Sequence, residues 1–399
     1  DPNGVLVRTP ALGDLAAGRV GLGAGICTPL SVLAPRARHV PGQAARVDTS
    51  ARTVAVELAG DAGVRELAYD HLVVTVGGTW EDRRVPGATA HALSLGTPGD
   101  ALELRRRTLT GLALAATGTD VEQRRRHGTV AIVGGGLAGV AVAAAVAELQ
   151  AAAIRARDPG LADVARVVLA ELKPRLVSGS PRDVSDAVES TLGRAGVEVV
   201  TGDAVTGIDT AGQTRRSGAR VDAATVVWTA GERAAPAVET LIDADRSAGG
   251  RIVVTPQLQV TAGDCVWAAG DAASVPHLLA GGDCPATAEF ATAAGKRIAR
   301  NILRVLDGNF PMAFRHQPAA EVVPLSAATV TRARGRILTG IPAAVLSNPP
   351  AVVGRRITNS LRSLRRASVA PVIPLERSAV HETESATRSA VTFRRGGVG

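Results

Sequence analysis

The feature that most constrains this chain is one uninterrupted stretch. Thr129-Val130-Ala131-Ile132-Val133 runs straight into Gly134-Gly135-Gly136-Leu137-Ala138-Gly139, and an alanine-rich segment follows to about Ala153. A short apolar run closed by glycines reads as a strand buried on both faces, and alanine favours helix. The order is therefore strand, tight turn, helix. In Gly134-x-Gly136-x-x-Gly139 the first glycine permits the turn. The second lets backbone approach a pyrophosphate, and the third lets helix and strand pack closely. The helix start then offers unpaired N–H groups to the phosphate. Thr129 to Ala147 carries no charge and is nearly as long as a membrane span. Its glycines fit a buried strand-turn-helix better.

The pattern continues downstream. Arg166-Val167-Val168-Leu169-Ala170 reads as a second buried strand ending at Glu171, Asp183 to Arg194 as a helix closing at Gly196, and Val197 to Val200 as a third strand. Strands alternating with helices in this order predict a doubly wound parallel sheet. An acidic side chain at the end of the second strand accepts hydrogen bonds from both ribose hydroxyls of an adenosine and repels a 2′-phosphate. Glu171 thus favours NAD over NADP, with Lys173 and Arg175 close enough to soften the preference. The gap from the glycines exceeds the usual ~20 residues, which the reading assigns to an insertion around Arg155 to Leu161.

Composition narrows the function. The chain carries a formal charge of +8, but only Lys173 and Lys296 are lysines, and aromatics make up 2%. Arginine abundance beside so much Ala, Gly and Val looks like the bias of a GC-rich genome, and no aromatic residues interleave with the basic ones to stack on bases. Nucleic acid is therefore excluded as a partner. Cys27, Cys265 and Cys284 are too scattered for a disulfide framework, a zinc site or a redox CxxC or CxxxxC pair. The seven histidines have no metal-spaced partners, so no metal is expected. A reducing cytosol is the default compartment.

Elsewhere, Thr53 to Leu58 alternates and Leu72 to Val76 runs apolar into Gly77-Gly78. Thr97-Pro98-Gly99 opens a helix over Asp100 to Arg107. Cys265 to Ala269 reads as a buried strand ending in Gly270-Asp271, where a carboxylate can meet a polyol chain. A helix spans about Ala286 to Leu306; after Pro311 the pattern thins, and beyond Pro371 the tail is polar and aperiodic. Val352, Val353, Ile357, Leu361 and Leu364 fall at helical spacing among Arg355, Arg356, Arg362, Arg365 and Arg366. Such a basic amphipathic helix is suited either to an anionic membrane surface or to packing on its own domain.

Tyr69-Asp70-x-Leu72-Val73-Val74-Thr75-x-Gly77 with Val85-Pro86-Gly87 resembles the Y-D-x-L-V-x-A-T-G…I-P-G signature of flavoproteins with two dinucleotide-binding domains. Val226 to Gly231 and Val266 to Asp271 match the same family in order. Within it the chain is most similar to type II NADH dehydrogenases; Arg8-Thr9-Pro10-Ala11-Leu12 resembles their R-P-L-L stretch. The resemblance runs from about residue 3 to 310. It implies two Rossmann-like domains, the NAD domain inserted in the FAD domain: residues 1–98 and 235–310 for FAD, 99–234 for NAD, and a C-terminal region over 311–399. It also implies FAD and NAD(H) as cofactors, with Gly77, Gly231, Gly270 and Asp271 at the flavin side. NADH would reduce FAD, and electrons would pass to a quinone or another small acceptor, in the cytoplasm or peripheral to the inner face of the cell membrane.

Three departures qualify this. No G-x-G-x-x-G precedes Gly134; Asp1 resembles the acidic residue that ends the second strand of the FAD unit, so the sequence reads as lacking roughly one βαβ unit. The family's A-Q-x-A-x-Q-Q-G run beside the quinone is here Ala288-Glu289-Phe290-Ala291-Thr292-Ala293-Ala294-Gly295. The family's glutamate two residues after the NAD-loop glycine is Ala141. Glu289, read as a buried carboxylate without a helix-neighbour partner, weighs against a quinone as acceptor. The alternative reading is an NAD-binding scaffold or sensor that has lost FAD and turnover.

Overall fold

Thr129–Val133 is the centre of a five-stranded parallel sheet, buried at every position. The sheet order is Val197–Thr201, Arg166–Glu171, Thr129–Val133, Thr225–Trp228, Ala92–Ser94. These strands come from a computed structural model that describes residues 1–340 apart from 24, 25, 61, 62, 81–83, 158, 262 and 319. The first residues of the amphipathic stretch predicted around Val352 to Arg366, and all that follow, lie outside the described residues.

The strand-turn-helix takes its predicted form, but the helix runs further, over Leu137–Arg157, and a 3-10 turn at Pro159–Asp163 follows. These extra turns account for the long gap between the glycines and Glu171. A window of this helix, Leu137–Ala156, is apolar enough to cross a membrane, yet 56% of it is buried in the protein. Its buried side is Val140, Val142, Ala143 and Val146, set against the sheet with Ile132 and Leu169. Arg182–Arg194 buries Val184, Val188 and Leu192, one side chain per turn, as a helix lying on a sheet must.

Pro98–Thr117 begins with a capping box, Thr97 and Asp100 each binding the other's backbone N–H, and with Pro98 in the first turn. It extends well past Arg107 because Leu104, Thr108, Gly111, Leu112 and Ala115 continue its buried stripe. Ala92–Ser94 lies N-terminal to residue 99, in the segment the sequence gives to the first unit, and nonetheless hydrogen-bonds into the parallel sheet.

The remaining strands form smaller sheets. Gly42–Asp48, Thr53–Leu58 and Val64–Ala68 make an antiparallel meander. Leu72–Val74 pairs in parallel with Val266–Ala268 and has no second neighbour among the described residues; Val73 is 41% exposed there. Past Pro311, where the sequence pattern thins, the chain builds three antiparallel strands, Glu321–Leu325, Ala328–Ala333 and Arg336–Thr339. Val323, Leu325 and Val330 enter the core that holds the Leu137 helix. Ser326 donates to Glu148 at 2.7 Å, and Arg332 bridges Asp183 at 2.9 Å.

One buried polar group stands out in the core. Gln213, on the middle strand Gly212–Arg215 of a three-stranded sheet, is fully buried, and neither side-chain polar atom has a hydrogen-bond partner among the described residues. Replacing such a group by an apolar one of similar shape removes a desolvation cost of about 1–3 kcal/mol. Gln213→Met should therefore raise the melting temperature in differential scanning calorimetry. A lowered melting temperature would show that a bound water satisfies the amide.

Candidate functional site

The glycine loop is built by close contacts. A Cβ on Gly139 would sit 1.7 Å from the Gly134 carbonyl oxygen, and one on Gly134, whose φ is +108°, would lie within 3.0 Å of Ala230. Gly135, which the motif leaves unspecified, is equally constrained, with Leu176 Cδ2 2.5 Å and Glu171 Cβ 2.9 Å from its Cβ position. Gly136 alone faces open space, with nothing within 4 Å of its Cβ position. Three glycines thus fold the loop, and the fourth leaves room beside the start of the Leu137 helix. Thr229 secures the turn, its Oγ1 donating to the Val133 and Gly134 carbonyls at 2.9 and 3.1 Å. Its place in the Val226 to Gly231 block is the only sequence signal for it.

Glu171 reaches this loop. One carboxylate oxygen accepts from the Gly135 N–H and the other from the Lys173 N–H. Arg175 is committed elsewhere, donating to the Ser178 and Ser180 carbonyls and to Ser185 Oγ. Of the two basic residues that could soften the preference for NAD, Arg175 is therefore engaged elsewhere.

A second set of residues gathers around Asp271. Gly77 and Gly270 have φ of +80° and +69°, in the left-handed region that favours glycine. A Cβ on Gly78 would meet the Arg233 carbonyl at 2.7 Å and Asp271 Cβ at 3.0 Å. Gly78–Trp80 pairs with Glu232–Ala234, just after Gly231, whose φ is +69°. The Asp271 carboxylate accepts no hydrogen bond from a described residue. Beside it, Ala288–Leu306 begins with Thr287 as its cap. A small hollow open to solvent lies there, lined among others by Arg251, Gly270, Thr287, Phe290, Ala291 and Phe314.

Asp1 Oδ1 accepts from the Asn3 and Gly4 N–H groups and holds a local turn. One residue stands elsewhere than the sequence places it. Glu289 is not a buried, unpartnered carboxylate. It is exposed, and its Oε1 lies 3.2 Å from His316 Nε2. His316 comes from the segment after the helix and packs edge-on to Phe290, with ring centroids 5.1 Å apart. Helix spacing alone could not reveal a partner from another segment.

The family model for pyridine nucleotide-disulphide oxidoreductases matches residues 33–295. The chain belongs to this family. It is 28% identical over 336 residues to a type II NADH:quinone oxidoreductase of Mycobacterium tuberculosis, covering 81% of this chain and 70% of that one. It is 29% identical over 300 residues to a demethylphylloquinone reductase of Synechocystis, covering 74% and 67%. Of an external alternative NADH-ubiquinone oxidoreductase of Yarrowia lipolytica it spans 44% of the length. Its fold superimposes on that of NDH2 from Plasmodium falciparum in complex with NADH with a TM-score of 0.80, over 91% of this chain and 92% of that one, at 14% identity. The architecture is therefore that of a two-domain FAD- and NAD-binding Rossmann-type oxidoreductase.

Family membership makes the chain a flavoprotein oxidoreductase, and the residues can be tested for fit. Gly77 and Gly270 leave backbone open to a ligand, Gly78 packs directly on Asp271, and the Asp271 carboxylate is free to accept from hydroxyls. This surface fits the polyol end of FAD. The chain's one G-x-G-x-x-G is the loop at Gly134, so the residues present account for that end of the flavin only.

Proposed function

We propose that this protein is a flavin-dependent NADH oxidoreductase that delivers electrons to a small acceptor of the quinone type. One observation carries the reading. The short segment Ala230 to Ala234 touches both sites: Ala230 packs on Gly134 of the dinucleotide loop, and the Arg233 carbonyl packs on Gly78 beside Asp271. Ligands at the two glycine surfaces therefore meet along one segment.

The residues divide the work. The Gly134 to Gly139 loop and the start of the Leu137 helix bind the NADH pyrophosphate through backbone N–H groups. Glu171 accepts from the ribose hydroxyls. Asp271, with Gly77, Gly78 and Gly270, holds the polyol of FAD. FAD, when bound, supplies hydride acceptance and electron transfer to the second substrate. With no redox cysteine pair in the sequence, electrons leave for an external acceptor. An exposed Glu289 paired with His316 removes the objection that a buried carboxylate raises against a quinone. Contact with a membrane surface, where lipophilic quinones reside, is part of the same proposal.

The test is NADH oxidation by the protein supplied with FAD, read against ubiquinone and menaquinone analogues and against ferricyanide. Quinone reduction is the expected result. Ferricyanide reduction without quinone reduction would overturn the acceptor, and colourless, inert protein would favour an NAD-binding scaffold. Glu289→Gln should change quinone turnover by no more than about fivefold, because an exposed carboxylate–imidazole contact contributes about 0–1 kcal/mol.

A further inference from the structure

The helix Ala288–Leu306 ends among apolar side chains that the fold leaves outside. Leu303 and Leu306 stand one turn apart on its outer face, Phe310 and Met312 follow in the next loop, and all four are half or more exposed. Phe290 and Phe314 are buried, whereas Phe310 is 89% exposed. Fraying does not explain this, because the loop is fastened to the helix. The buried Asn301 donates from Nδ2 to the Met312 carbonyl at 2.9 Å, and its Oδ1 accepts from the Met312 N–H at 2.9 Å. Arg304 Nε donates to the Phe310 carbonyl at 2.8 Å, and the Asn309 N–H donates to the Arg304 carbonyl at 2.7 Å. Backbone held in this way presents the phenyl ring to solvent instead of folding it onto the core. On the same helix Lys296, Arg297 and Arg300 make no ion pair among the described residues. Between Phe290 and Arg315 the one acid is Asp307, against Lys296, Arg297, Arg300 and Arg304, so the surroundings of the patch are basic.

We propose that this end of the helix, together with the Phe310 loop, is a docking surface for an anionic lipid membrane. Apolar tips beside unpaired cations are the chemistry of interfacial binding. Phe310, Leu303 and Leu306 enter the boundary of the acyl chains, and Lys296 and Arg300 meet lipid phosphates. The inference rests on the membrane part of the proposed function and gives that contact a place. Other occupants fit less well. A second copy packing by the same face would set these cations against their own counterparts. The chain's own stretch from Val352 to Arg366 holds five arginines and no acid, so it too would bring like charge. The patch lies at the far end of the helix from Thr287, about 27 Å along its axis. It tethers the protein to a bilayer and takes no part in holding NADH or flavin.

The test is co-sedimentation of the full chain with vesicles of phosphatidylglycerol and phosphatidylcholine, against vesicles of phosphatidylcholine alone. The parent should bind the anionic vesicles, and the neutral ones at least about tenfold more weakly. Leu306→Ser combined with Phe310→Ser should lower binding to the anionic vesicles at least about tenfold. Lys296→Gln combined with Arg300→Gln should do so by a similar factor. Val64→Ser, at an exposed apolar residue of the antiparallel meander, should change nothing, and an equal loss there overturns the assignment. In Phe310→Trp the fluorescence should move to shorter wavelength when anionic vesicles are added, because position 310 itself leaves water; no shift overturns the proposal. Vesicle binding indifferent to both pairs of substitutions overturns this surface and assigns the membrane contact to another. A dimer in sedimentation velocity that the Leu306→Ser and Phe310→Ser pair dissolves overturns it in favour of a second copy. A parent that binds neither vesicle overturns this inference and the membrane contact together. Reduction of a water-soluble quinone analogue without vesicles, which the patch variants should leave unchanged, tests the oxidoreductase reading by itself.

Discussion

Gly136→Val should lose at least about a hundredfold in NADH affinity while unfolding within about 2 °C of the parent. Gly139→Ala, a smaller change three residues away, should cost about 3 kcal/mol or more of stability. The difference follows from what each Cβ would meet. At Gly136 the space is open in the free protein, so a side chain there strains nothing and occupies only the volume through which a pyrophosphate must approach the helix start. At Gly139 the new atom would fall 1.7 Å from the Gly134 carbonyl oxygen. Backbone cannot yield to that without parting the strand from the helix. Isothermal titration of NADH with a thermal melt separates the two outcomes. A Gly136→Val protein that keeps parental NADH affinity would show that the loop is a packing device and not a phosphate site.

The dinucleotide half was legible because its chemistry is local in sequence. Strand, glycines, helix and strand-end acid follow one another, and each has its own period or breaker: the apolar run of Thr129–Val133, the turn at Gly134, Glu171 after Val167 to Ala170. What the sequence hid depends on distant segments meeting. Glu289 acquires His316 from beyond the end of its helix. Gly135 is constrained by Leu176 and Glu171, more than thirty residues on. The three strands after Pro311 were missed for another reason. Their alternation is short, Pro324 interrupts it, and the turns place Ser326 and Arg334 at positive φ without the Asn-Gly or Asp-Gly pairs that mark a hairpin. Arg334-Gly335 between Ala328–Ala333 and Arg336–Thr339 was the signal available.

Glu171→Ala should weaken NADH binding about tenfold or more and remove most of the discrimination against NADPH, because this one carboxylate does two jobs. Its oxygens accept from the Gly135 and Lys173 N–H groups, which holds the loop against the strand end. Each oxygen keeps further lone-pair capacity for a ribose hydroxyl. Alanine loses both, and the Gly135 N–H is left to water. Arg175 cannot substitute as a receptor for a 2′-phosphate, since its guanidinium is held by Ser178, Ser180 and Ser185. Relief from repulsion, and not an attraction from Arg175, is therefore what NADPH should gain. Glu171→Gln separates the two jobs. The amide oxygen can still accept from one backbone N–H while the charge is gone, so NADH affinity should fall less than in Glu171→Ala, and NADPH should improve by a similar factor. The measurement is the pair of dissociation constants for NADH and NADPH in parent and both variants. Should both variants retain the parent's ratio, selection between the nucleotides would lie outside this strand end, and Glu171 would be a clasp for the loop alone.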